Sequence, residues 1–187
     1  SIGILVKELS FFYTTRIGGT AGELPPLEVQ YGDYAYWQRH LFDAGRLDGK
    51  TAHLKQRLSG APALLTLPTD RPRPPIQRHR GAVVYFELSA TLLARMGEMS
   101  RQCQATPFMM LSALFALVLS RHAGQDDVCI GTPVSNRSQT EVQGTIGFFV
   151  NVVVLRIPLA RHLGFRAFLR QVREIALDTY AHQDVPF

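Results

Sequence analysis

An α/β fold, with helices packed on a sheet, is what this 187-residue chain predicts. Apolar residues recur at helical spacing in six stretches, and three others read as strand. After a proline-rich break the order becomes β-α-α-β-β-α. Hydrophobic residues make up 46% of the chain, enough for a packed core.

Ile2, Leu5, Val6, Leu9 and Phe12 set an amphipathic helix to about Arg16, closed by Gly18 and Gly19. Residues 31–44 give a second helix with Tyr34, Trp37 and Leu41 on one face, and residues 47–58 a third, more polar one. Pro68, Pro72, Pro74 and Pro75 then forbid helix, so residues 67–80 read as an extended, stiff linker. Residues 82–88 read as a strand, and Ser89 caps a helix over 90–104. Thr106-Pro107 joins an N-cap residue to a proline at the first helical position. The helix it starts, 108–122, is apolar on nearly every side and so is expected to be deeply buried, with Gly124 as its stop. Residues 128–134 and 146–157 are the remaining strands. The second hardly alternates, which predicts cover on both faces. A last helix, 165–181, carries Phe168, Val172, Ile175 and Thr179 on one side.

Several function classes recede. The net charge of +5 comes from scattered arginines; the densest run, Arg71-Pro-Arg-Pro-Pro-Ile-Gln-Arg-His-Arg80, lies in the linker without interleaved aromatics, so no nucleic-acid partner is expected. No apolar run has the length of a membrane span, and the opening residues lack the basic region and cleavage site of a signal peptide. Two cysteines, Cys103 and Cys129, are too few for a disulfide framework and read as reduced core thiols of a cytoplasmic protein. No Cys/His spacing suggests a metal, and no glycine-rich loop joins a strand to a helix. The chain opens without an initiator methionine and stops abruptly on apolar residues, which reads as an internal piece of a longer protein.

Candidate chemistry centres on two apolar segments joined by a polar loop: Ile130-Gly-Thr-Pro-Val-Ser-Asn-Arg137 and Ile146-Gly-Phe-Phe-Val-Asn-Val-Val-Val-Leu-Arg156. Asn136, Arg137, Asn151 and Arg156 interrupt sequence that otherwise reads as buried strand, and a buried amide or guanidinium is costly unless its hydrogen bonds are met. These residues either belong to a structural network or border a ligand. The run His122-Ala-Gly-Gln-Asp126 fits H-x-x-x-D, but His122 reads as a helix-end cation and Gly124 as a helix stop. His182 and Asp184 read as a helix end followed by a proline stop, and the aromatics of residues 31–38 as a packing stripe. From the residues alone no complete active site can be assembled.

Taken in order, the segments resemble the condensation domains of non-ribosomal peptide synthetases. Tyr31-Gly-Asp-Tyr-Ala-Tyr-Trp-Gln38 resembles Y-x-D-[FY]-A-x-W-Q, and Leu67-Pro-Thr-Asp-Arg-Pro-Arg-Pro74 the interlobe segment. Residues 130–137 resemble I-G-x-P-V-x-x-R; residues 146–152 resemble I-G-x-F-V-N-T, with Val152 where Thr is usual; and residues 182–187 resemble H-Q-D-x-P-F-E without its last residue. The catalytic H-H-x-x-x-D-G motif of the family has no counterpart, since no His-His pair occurs; its place falls upstream of Ser1.

The resemblance implies a chloramphenicol-acetyltransferase-like two-lobe fold with part of each lobe present: residues 1–66 ending the N-terminal lobe, 67–80 linking, and 81–187 beginning the C-terminal lobe. It implies an acyltransferase that forms an amide between a donor acyl or peptidyl thioester and an acceptor aminoacyl thioester. Both arrive on phosphopantetheine arms of partner carrier domains, so no cofactor is bound directly. An adjacent adenylation domain and the remainder of the condensation domain are further implied partners. Arg137 is implied as active-site support, pairing with the Asp of the absent motif, and Asn151 as a substrate-tunnel residue; no catalytic residue is implied within the chain. Epimerisation or heterocyclisation domains, and a non-catalytic interaction module, are the alternatives.

Overall fold

A computed structural model describes residues 1–20, 22–72, 74–76 and 81–187. Its elements are α1 (Ile2–Ile17), α2 (Tyr31–Asp43), α3 (Asp48–Leu58), α4 (Ala90–Gln102), α5 (Pro107–Ala123), β1 (Asp127–Val134), a single 3-10 turn (Thr140–Val142), β2 (Asn151–Pro158) and α6 (Phe165–Ala181). Two compact units divide them. The first comprises Ser1–Gln56, Pro133–Val153 and His182–Phe187; the second comprises Arg57–Thr132 and Val154–Ala181.

In the second unit, local signals set the helix ends. Ser89 Oγ accepts from the Leu92 N–H at 3.3 Å, and Thr106 Oγ1 from the Met109 N–H at 3.2 Å. Gly124 closes α5 with φ of 66°, a left-handed conformation that glycine adopts without steric cost. Helix α6 buries Phe168, Leu169, Val172, Ile175, Ala176 and Thr179, the face its periodicity predicts. That face packs with Met109, Met110, Ala113 and Ala116 of α5 and with Leu155 and Ile157 of β2 into one core. The Leu159 N–H donates to the Asp126 carbonyl at 2.7 Å, so the start of β1 lies beside the end of β2 and the pair is antiparallel.

Four expectations need correction. Residues 82–88 are not a strand; Val84, Tyr85 and Phe86 are 80–90% exposed. A strand persists only where a neighbour meets its N–H and C=O groups, and none does so among the described residues. The strand predicted at 146–157 begins at Asn151, and its residues alternate between covered and open, so it is covered on one face. Helix α5 is buried along one side only; Leu111, Phe115 and Val118 are half exposed. Helix α1 forms, but Ile2, Leu5, Val6, Leu9 and Phe12 face outward, and Ile4, Glu8, Phe11 and Thr15 are the partly covered positions. The described part of the linker has neither helix nor strand, while Arg73 and residues 77–80 lie outside the described residues.

Arg156, on the open face of β2, is fully engaged. Its Nε and Nη2 donate to Asp127 Oδ2 at 2.9 and 2.8 Å, and its Nη1 donates to the Arg57 and Ser59 carbonyls at 3.0 and 2.6 Å. The guanidinium thus ties β2 to β1 and to the end of α3. Beside it, burial pushes the Cys129 thiol up, with the Asp127 charge acting in the same sense, so this cysteine is a poor nucleophile. Among the described residues no single helix is long and apolar enough to cross a membrane.

Leu169 is fully buried at the centre of the second unit. Leu169→Ala is expected to lower stability by about 2–5 kcal/mol, read from the denaturant midpoint. The open faces of α5 and residues 83–86 predict that the isolated chain self-associates in sedimentation velocity. A monomer with a cooperative melt would contradict this.

Candidate functional site

The first unit gathers three of the sequence motifs whole, and residues 133–137 of a fourth, around a small aromatic and polar cluster. Residues 31–38 reach it from α2, whose first turn is fixed when the Gln30 N–H donates to Asp33 Oδ2 at 2.9 Å. Tyr34, on the inner face of α2, lies 4.7 Å from the Phe149 ring and 5.7 Å from Trp37, centroid to centroid. Tyr31 meets Phe149 edge-on at 5.2 Å, and its hydroxyl donates to the Phe148 carbonyl at 3.0 Å. Gly147 is required here: a Cβ at this position would stand 2.2 Å from the Tyr31 ring.

Residues 134–137 approach from the other side. Asn136 has φ of 50°, a left-handed conformation that asparagine tolerates better than most residues. The turn buries its amide, and Nδ2 donates to Tyr34 Oη at 3.3 Å. Burial above all, with the neighbouring Tyr31 phenol and Asp184 carboxylate acting in the same sense, raises the Tyr34 pKa; the phenol therefore stays neutral at physiological pH.

Arg137 sits over the Phe149 ring, its guanidinium carbon 4.0 Å from the centroid. Nη1 donates to the Val142 carbonyl, and Nη2 to Ser1 Oγ at 3.0 Å. The Ser1 hydroxyl in turn accepts from the Gly147 N–H at 3.2 Å and donates to the Gly147 carbonyl at 2.5 Å. Among the described residues no carboxylate lies within ion-pair distance of Arg137.

Asn151 is buried where β2 begins, and its amide is completely used. Nδ2 donates to the Gln183 and Val185 carbonyls at 2.8 and 2.7 Å; Oδ1 accepts from the Phe187 and Val152 N–H groups at 3.1 and 2.9 Å. The segment it holds is fixed a second time by Lys50 Nζ, 2.7 and 2.9 Å from the two Asp184 oxygens. That pair is 40% exposed on both sides and contributes less than about 1 kcal/mol. The His182 ring lies parallel to His53 at 4.2 Å.

Sequence reasoning singled out Asn136, Arg137 and Asn151, and the structure brings their surroundings together in this unit. It missed Ser1, and it read Tyr34 as packing alone. The I-G-x-F spacing signalled Gly147, but only the Tyr31 ring shows why it must be glycine. His122 stands exposed in the last turn of α5.

Asn151→Ala would strand two carbonyls and two N–H groups, costing about 1–3 kcal/mol. The expected readout is faster hydrogen exchange at Val152 and Phe187. Asn151→Asp keeps the acceptor and should leave Val152 better protected than the alanine variant does.

Comparison with known proteins follows the same residues. The family model of the condensation domain matches residues 1–187. A linear gramicidin synthase of Brevibacillus parabrevis is 45% identical across 100% of this chain, which corresponds to 4% of that protein. Phosphinothricin tripeptide synthetase PhsC of Streptomyces viridochromogenes is 39% identical over 100% of this chain and 17% of its own length. The chain therefore spans a small part of these relatives. Among solved structures, the X-domain in complex with OxyB from teicoplanin biosynthesis superposes with a TM-score of 0.89 at 28% identity, over 100% of this chain and 42% of that one. SgcC5 from Streptomyces globisporus gives 0.78 at 26%, over 97% and 41%. Helices on a sheet, the ordered motifs and these likenesses agree, and the chain belongs to the condensation-domain family, with its chloramphenicol-acetyltransferase-like fold.

Proposed function

We propose that this chain supplies the supporting part of an amide-forming condensation site. In the parent enzyme the acceptor amine attacks the carbonyl of the donor thioester. A C–N bond forms, the C–S bond breaks, and the donor carrier's phosphopantetheine leaves as the thiol after proton transfer. Donor and acceptor carrier domains present the two substrates, and an adenylation domain loads the acceptor amino acid, in the cytoplasm. Residues 1–66 would complete one lobe and 81–187 open the other, across the linker at 67–80. No His-His pair occurs in residues 1–187, so the chain alone is expected to be inactive.

The observation that carries this reading is the meeting in one unit of three family motifs and the 133–137 end of a fourth, with Arg137 bonded to Ser1. In the family pattern the catalytic loop directly precedes the helix that begins at Ser1. On this reading Arg137 pairs with that loop's aspartate, and an Arg–carboxylate pair holds orientation as well as charge. Asn151 acts on the substrate tunnel through the segment 183–187 that it clamps, as a positioning residue. Proximity of two tethered reactants and stabilisation of developing charge then supply the rate.

The test is reconstitution of the complete condensation domain with loaded donor and acceptor carriers, following the amide product by mass spectrometry. Arg137→Ala is expected to cut turnover about 30- to 160-fold, the loss of a charge-assisted contact of about 2–3 kcal/mol. Arg137→Lys should recover part of it. Near-normal turnover in a folded Arg137→Ala domain would remove its role. Asn151→Ala should lower turnover without abolishing carrier binding, and unchanged kinetics would leave it a strand-bonding residue only. A second reading, a non-catalytic recruitment module, is favoured by the likeness to an X-domain whose structure is a complex with another protein. Carrier binding without any amide product in the complete domain would support it.

A further inference from the structure

The second unit carries a pocket of about 520 Å³ on its surface, built where α5 turns into β1 and where β2 turns into α6. We propose that this pocket is a docking site for an acidic polypeptide segment that inserts an apolar side chain. This inference is independent of the catalytic reading, since none of these residues belongs to the cluster around Arg137.

The floor is apolar and rigid. Leu117, Leu159, Leu163 and Phe165 pack directly on the core, and Phe168 is almost fully buried behind them. Such a floor suits an aliphatic or aromatic side chain and gives a hydrated inorganic anion nothing to bind.

The rim is cationic. Arg121, in the last turn of α5, has no hydrogen-bond or ion-pair partner among the described residues. Arg161 is 81% exposed, and Asp126 engages only its Nε, at 3.0 and 3.2 Å. Both terminal amino groups of Arg161 therefore remain open, in the planar fork that receives a carboxylate bidentately. Two guanidiniums against one carboxylate leave the rim one positive charge in excess.

The surrounding chain has the same sign. Residues 159–173 contain Arg161, Arg166, Arg170 and Arg173 and no Asp or Glu. Helix α6 starts beside the pocket with no acidic residue in its first turn, so the positive end of its dipole is not offset there. A nucleic acid would need more cations and exposed stacking rings than two arginines supply. A lipid surface favours a protruding apolar face over a recess. An acidic segment with one or two apolar residues matches charge, depth and size together.

The probe is a fluorescein-labelled peptide, Asp-Glu-Glu-Leu-Phe-Asp-Glu, titrated by fluorescence polarisation against the complete condensation domain that contains this chain. Saturable binding is expected, weakened at least about tenfold by Arg121→Glu and by Arg161→Glu. Arg95→Glu, which changes net charge equally on the exposed side of α4, should leave affinity unchanged and controls for bulk electrostatics. A peptide with Ser in place of Leu and Phe should also bind at least about tenfold more weakly. Circular dichroism checks that each variant is folded. The proposal is overturned if the peptide does not bind or both rim variants bind as the parent does. It is equally overturned if the Ser peptide binds equally well, if inorganic phosphate alone displaces the probe, or if anionic phosphatidylserine vesicles bind better than the peptide.

Discussion

Arg137 sits over the Phe149 ring while its amino groups reach the Val142 carbonyl and the Ser1 hydroxyl. The aromatic face and the oxygens share one cation, and Ser1 lies 136 positions from Arg137 in the chain. Around this contact the rest of the first unit is organised. Phe149 is held by Tyr31 and Tyr34, Tyr34 receives the Asn136 amide, and Gly147 gives the Tyr31 ring its place. A half-buried guanidinium is tolerated because its charge is spread over oxygen acceptors and a ring quadrupole rather than left unmet. Removing Tyr34 would leave the buried Asn136 amide without its phenol partner, and removing Phe149 would take the ring from beneath Arg137.

The second unit obeys a simpler rule. Its core is apolar, its helix ends are fixed by local caps, and its one large polar knot, Arg156 with Asp127, lies on the open face of the strand pair. There both side chains keep about a quarter of their surface in solvent, although Asp127 Oδ1 is buried without a hydrogen-bond partner, so part of the desolvation cost of an interior ion pair remains. The two polar arginines of the starting segments thus have different occupations. Arg156 fastens secondary structure; Arg137 fastens loops, and its loops are those that carry the family's motifs.

The functional picture follows from that contrast. A condensation site must hold two tethered substrates in register, which demands fixed loops more than many reactive groups. Asn151 spends its whole amide on backbone partners, and in the site proposed above that is how it would meet this demand. A side chain saturated in this way positions its neighbours and has nothing left for direct contact with a substrate. The pocket at the turns of the second unit has the opposite character: its arginines keep unspent hydrogen-bond capacity, which is what recognition of an incoming group requires.

All six helices were legible in the sequence, because caps such as Thr106-Pro107 and stops such as Gly124 act within a few residues. The inner face of α6 was legible for the same reason: one strong periodicity fixes which side is apolar. The family, too, was written in the order of its motifs. What the sequence could not decide was which apolar surface finds a partner. Residues 82–88 have strand composition but no neighbouring strand, and α1 turns its most apolar side outward. Nor could it say that Asn151 would bind residues 183–187, or that Tyr34 would receive Asn136. Local signals bias each segment's own backbone; pairing and burial depend on surfaces brought from far along the chain, and those contacts exist only once the tertiary structure has formed.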